Sequence, residues 1–136
     1  MTGCSIGSVA KGVSDQKLAN CPVTPNCISS QDDGMHNYAA FEFEGSPAKA
    51  KKMLVEVLNA YPRCEIREND GNYIQATFIT AVFRFRDDAE FLIKDDAIEV
   101  RSASRLGLSD LGKNSRRMNE IKASFEQAMS NSVDAK

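Results

Sequence analysis

The chain has no tryptophan and a single histidine, His36. Its four cysteines, Cys4, Cys21, Cys27 and Cys64, include no Cys-x-x-Cys pair, so a zinc site lacks its ligand set. No apolar run approaches the roughly 18 residues of a membrane span. Seventeen lysines and arginines against 19 acids leave a net charge of -2, which argues against the broad basic surface that nucleic acid requires. Nucleophile elbow, phosphate loop and EF-hand spacing are all missing, and nothing points to a cofactor. What is there, 42% hydrophobic and 26% charged in 136 residues, suits one globular domain that buries its own core without metal or disulfide staples.

Met1-Thr2-Gly3-Cys4-Ser5 resembles the end of a bacterial lipoprotein signal, where small residues precede a cysteine that becomes lipidated; a charged, apolar leader would come first. Ser5 to Asn20 is rich in Gly, Ser, Lys and Asp without apolar periodicity, as expected of a flexible tether. Residues 1–20 are therefore read as a leash lipidated at Cys4, and residues 21–136 as a single domain in the periplasmic cell envelope. Membrane contact is expected only through that lipid. If Met1 is the native start, the alternative is a cytoplasmic protein.

Cys21-Pro22-Val23-Thr24-Pro25-Asn26-Cys27 reads as a rigid turn, because each proline fixes φ and removes a backbone donor. Five intervening residues allow Cys21 and Cys27 to form a disulfide; the alternative is two reduced, half-buried thiols. Cys64 falls in a strand pattern and reads as a small core residue.

From Tyr38 the pattern becomes regular. Ala39, Phe41 and Phe43 alternate with Ala40, Glu42 and Glu44, predicting a strand with one wet face. Ser46 and Pro47 suit the N-cap and first position of a helix running to about Tyr61, with Ala50, Met53, Leu54, Val57 and Leu58 on one face. Strands are predicted over Arg63–Asn69, Asn72–Thr80, Val82–Ile93 and Ala97–Arg105. Asp70-Gly71 signals a hairpin, Asp87-Asp88 a bulge or bend, and Asp95-Asp96 a turn. A last helix spans about Lys113 to Ser130, with a frayed tail beyond. The expected fold is α+β: an antiparallel sheet of about five strands in the order β-α-β-β-β-β-α, both helices on one face.

Three stretches carry a resemblance. Cys21-Pro22-x-Thr24-Pro25-Asn26-Cys27-x-Ser29-Ser30, Phe85-x-Asp87-Asp88-x-x-Phe91, and the run from Arg101-Ser102-Ala103-Ser104-Arg105 through Gly107, Ser109-Asp110, Gly112 and Asn114 to Arg117 resemble the domain-of-unknown-function family numbered 1499, found in bacteria and plastids. Arg86 departs from that pattern, where the family more often has an apolar residue. The resemblance implies no established activity.

The third stretch is the candidate site. Strand alternation points Arg101, Ala103 and Arg105 to one face and Ser102 and Ser104 to the other, while Asp110, Asn114 and Arg117 share a helical stripe. A helix start beside guanidinium groups could cradle a small anion, or the site could take an envelope protein partner. In the competing reading Arg101 or Arg105 pairs with Asp87 or Asp88, Arg117 holds Asp110 or backbone carbonyls in the loop, and the cluster is a structural clasp. An enzyme reading would place Ser102 or Ser104 beside an acid–base group, with His36 too distant in sequence to assign. All these readings treat the arginines as one polar centre.

Overall fold

The computed structural model describes residues 9–22, 26–105 and 112–134. Its elements are β1 (Val13–Ser14), β2 (Lys17–Leu18), β3 (Cys27–Ser29), a short 3-10 turn over Gly34–His36, β4 (Phe41–Glu42), α1 (Pro47–Ala60), β5 (Cys64–Asp70), β6 (Tyr73–Ile79), β7 (Arg86–Ile93), β8 (Ala97–Ser104) and α2 (Lys113–Asp134). Strands β3-β8-β7-β6-β5 form an antiparallel sheet, with β4 also pairing on β8 to make six. Strands β3 and β4 share the β8 edge, one opposite residues 101–103 and the other opposite Ala97 and Ile98.

Helix α1 forms for the reasons the sequence gives. The Ser46 hydroxyl accepts the Lys49 amide (3.1 Å) and Pro47 occupies the first turn, satisfying one orphan donor and removing another. Its buried stripe is Ala50, Met53, Leu54, Val57 and Leu58. The stripe of α2 is Met118, Ile121, Phe125 and Met129, and both helices meet one face of the sheet in a single core with Ile74, Ala76, Phe78, Ala89, Phe91, Ile98 and Val100. Phe125 stacks on Phe41 at 5.9 Å and meets Phe43 edge-on at 6.4 Å. These rings fix how α2 sits on the β4–β8 edge.

Several expectations need correction. The segment read as one long strand from Val82 is strand only from Arg86; residues 81–85 are an exposed loop. Asp87-Asp88 neither bulges nor bends: both pair in regular register with β6 and β8, because each carboxylate finds a cation on its own side of the sheet. The irregularity lies instead in β5, between Ile66 and Glu68. The Asp70-Gly71 hairpin turns on Gly71 and Asn72, Asp70 already facing Tyr73, and the positive φ it requires (59°) falls on Gly71. Residues 131–134, read as frayed, continue α2. The cysteine turn ends in a real edge strand, β3, and Cys21 and Cys27 are joined by a disulfide.

The largest difference lies at the N-terminus. Residues 9–18, read as part of a flexible leash, lie against the face of the sheet opposite the helices. There Leu18 forms a small apolar cluster with Tyr73 and Leu92, and the amides of Val9, Lys11 and Gly12 bond to side chains of β7. The Leu18 amide donates to Gln31 Oε1 (2.7 Å) and the Cys21 amide to Asp32 Oδ2 (2.8 Å). Together with the disulfide, these bonds fasten the end of the arm to the β3 edge. Cys4, the residue expected to carry the lipid, lies outside the described residues.

Candidate functional site

Alternation along β7 and β8 sorts the candidate residues onto opposite faces, and both faces are covered. Strand β7 is buried continuously from Asp87 to Ile93. The expected single polar centre is therefore two, back to back, with the sheet between them. Arg101 and Arg105 belong to one; Arg117 belongs to the other.

The first cluster lies beneath the N-terminal arm. Asp88 and Arg105 form a two-pronged pair, Nε to Oδ2 at 2.8 Å and Nη2 to Oδ1 at 3.0 Å. Asp88 also accepts the Thr77 hydroxyl (2.7 Å) and the Val9 amide (2.9 Å). One step along, Glu90 faces Arg101 directly across the β7–β8 ladder. The Arg101 Nη1 donates to Glu90 Oε1 (3.1 Å) and to the Val9 carbonyl (3.0 Å). Glu90 Oε2 accepts the Tyr73 hydroxyl (2.6 Å) and the Gly12 amide (2.8 Å). Arg101 is the largest side chain to be almost wholly buried. Removing a guanidinium from water is tolerated only where a carboxylate and further acceptors replace the solvent.

The second cluster lies between sheet and α2. Asp87, buried, meets Arg117 Nη1 at 2.9 Å and Lys113 Nζ at 3.6 Å, and the Arg117 guanidinium lies over the Phe78 ring at 4.8 Å. Asn114 organises the rest. Its Oδ1 accepts the Ser102 hydroxyl (2.5 Å) and its Nδ2 donates to the Asn26 carbonyl (3.2 Å). Asn26 in turn donates from Nδ2 to the Ser104 carbonyl (2.7 Å). The first turn of α2 is thereby tied to the end of β8 and to the residue before β3. Ser102 and Ser104, considered as nucleophiles, are buried within this network. The His36 Nδ1–H donates to the Cys27 carbonyl (2.9 Å). Asp110 lies outside the described residues, and Arg117 takes Asp87 as its carboxylate.

Glu90, Tyr73, Thr77 and Lys113 were not singled out in the sequence as site residues, and Asn26 only as part of the cysteine motif. For Glu90 a signal existed: a lone acid at the head of Phe91-Leu92-Ile93, two residues from Asp88 and hence on the same face. Asn26 stands in the cysteine motif, but its role could not be read there, because it depends on the β3–β8 pairing.

Burial is the largest influence on Asp88 and would raise its pKa. The hydrogen bonds from Arg105, Val9 and Thr77, with the Arg105 charge, outweigh burial and hold the carboxyl below its ordinary value. The partner, Arg105, is raised chiefly by the bond to Asp88. Burial, followed by the bond to Glu90, raises the Tyr73 hydroxyl, and burial pushes the Cys64 thiol up to about 12, which keeps it protonated and unreactive at neutral pH. A carboxyl lowered by folding binds protons more readily in the unfolded chain. Its stabilisation is thus complete above about pH 5 and is lost as pH falls through the ordinary carboxylate range toward the lowered value. Urea midpoints measured from about pH 6 to about pH 3 are expected to fall, and Asp88→Asn to flatten that dependence. An unchanged slope in Asp88→Asn would show that other carboxyls carry it.

Fold and clusters define a class: an α+β domain with two helices on one face of an antiparallel sheet and an N-terminal arm on the other, each face enclosing an arginine–carboxylate cluster. A family model described as "Protein of unknown function (DUF1499)" matches residues 17–125, most of the chain, and the protein belongs to that family. No curated protein and no solved structure matches it.

Proposed function

We propose that this is a non-catalytic accessory domain of the cell envelope, lipid-anchored through Cys4, in which the arginines are an internal clasp and function is exercised toward a partner. The observation that carries this reading is that Arg101, Arg105 and Arg117 each end on a buried carboxylate at 3.1 Å or less. A small anion would have to displace an internal partner already in place, at the cost of a buried unpaired charge. The disulfide supports the envelope, since such bonds persist in oxidising compartments. The buried positions of Ser102 and Ser104 weigh against the enzyme reading, because a nucleophile must be reachable.

Phosphate titration followed at the arginine Nε–H resonances separates clasp from anion site. Arg101 Nε is the informative group, being buried without a hydrogen-bond partner among the described residues. The clasp predicts resonances that stay in place up to about 10 mM phosphate, since a site with a dissociation constant near 1 mM would by then be mostly filled. A saturable shift at Arg101 or Arg105 would restore the anion-binding reading.

A further inference from the structure

From the sequence, membrane contact is expected only through a lipid on Cys4, yet the β6–β7 hairpin ends in a surface suited to a bilayer. Across Thr80 to Arg86 the order is Thr-Ala-Val-Phe-Arg-Phe-Arg, without an acid. Val82 and Phe83 are 78% and 73% exposed and Phe85 41%, the three largest apolar side chains on this loop. Water-facing aromatics at a loop tip cost solvation and call for an occupant. Phe83 and Phe85 stack on each other at 5.5 Å. The loop is closed at its base by the Thr80 amide on the Phe85 carbonyl (2.9 Å) and the Phe85 amide on the Thr80 hydroxyl (2.8 Å). The apolar side chains are thus held outward on a framed turn.

Charge identifies the occupant. Arg84 and Arg86 are exposed at the tip, and Lys113 sits over the Phe85 ring at 5.7 Å. Arg63, exposed, lies beside the hairpin base with its Nε on the Ile79 carbonyl (3.0 Å). The nearest acid in sequence, Asp87, is buried and paired with Arg117 and Lys113. A chain of net charge -2 therefore concentrates cations around one apolar point. Aromatic side chains seat at the headgroup level and arginines pair with phosphates just above, which is how peripheral proteins hold an anionic interface. No described helix is long and apolar enough to cross a membrane.

We infer that the 80–86 hairpin tip docks on a bilayer surface rich in anionic phospholipid, inserting Phe83, Phe85 and Val82 while Arg84 and Arg86 bind headgroup phosphates. This goes beyond the proposed function and does not depend on Cys4 being lipidated, since the lipid-free chain is what is tested.

The absence of tryptophan gives a clean probe: Phe83→Trp introduces the chain's single indole. Mixed with vesicles of equal parts phosphatidylglycerol and phosphatidylcholine at low salt, this variant is expected to show a blue-shifted emission, quenched by brominated acyl chains. Binding should weaken about fivefold for each of Arg84→Gln and Arg86→Gln, the loss of one cation near an anionic surface, and should weaken again as salt is raised. Co-sedimentation of the unsubstituted chain checks that the indole has not created the affinity. Four results would each overturn the inference: no emission shift, equal binding to vesicles of phosphatidylcholine alone, affinity unchanged in the double arginine variant, or a lipid-free blue shift accompanied by dimer formation, which would make the tip a contact between two copies.

Discussion

Arg101→Met is expected to lower the stability of the folded chain by about 3–5 kcal/mol, a large part of the roughly 5–15 kcal/mol that holds an ordinary domain together. The cause is less the lost attraction than what remains. Glu90 stays buried, still accepting from Tyr73 and from the Gly12 amide, with no cation to balance it. The Val9 carbonyl loses its donor at the same time, so the arm loosens where it crosses the sheet. Combining Arg101→Met with Glu90→Gln should recover more than half of the loss: the amide oxygen still accepts, and no charge is left unpaired. Urea unfolding of the two single variants and the double variant supplies the cycle. Additive losses, or a cost below about 1 kcal/mol for Arg101→Met alone, would mean that the pair is not enclosed as described.

Asn114→Ala is expected to cost about 3 kcal/mol, because it strips partners from several buried groups at once. The Ser102 hydroxyl loses its acceptor and the Asn26 carbonyl loses a donor. The Ser104 amide also donates to that carbonyl (2.9 Å), so the damage should be visible locally. Hydrogen exchange at Ser104 is expected to accelerate more than exchange at Val100, which lies deeper in the apolar core. Equal acceleration at both amides would assign Asn114 a general stabilising role and remove the specific tie between helix start and strand end. The two substitutions probe opposite sides of one sheet, so their effects should nearly add.

Much of the fold was legible in the chain. Ser46 and Pro47 declare where α1 starts, Asp70-Gly71 locates a hairpin to within a residue, and the closely spaced strands read from Arg63 onward announce an antiparallel meander. Even the division of the arginines was present: Arg101 and Arg105 must face away from Ser102 and Ser104, and neighbouring Asp87 and Asp88 must face apart, since strand side chains alternate. The expectation of one polar centre set that rule aside by supposing that a junction gathers what it joins.

What alternation could not tell is that both faces would be covered, and by what. A strand with charged residues at alternate positions ordinarily marks a wet face. Here the wet face is closed by residues 9–18, whose composition resembles a linker because they contribute mainly backbone donors to Asp88 and Glu90 rather than apolar side chains. Backbone amides are the same in every sequence, so such a role leaves no trace in residue type. The exposure of Phe83 and Phe85 was hidden for a related reason: their spacing fits a strand, and only the Thr80–Phe85 closure ends the ladder before them. The sequence by itself determined the two helices and strands β4 to β8, their order and the face each strand residue takes, because these follow from local geometry. Tertiary structure alone decided which charges meet, which are sealed from water and which aromatics are left outside, because those depend on segments far apart in the chain arriving on the same face.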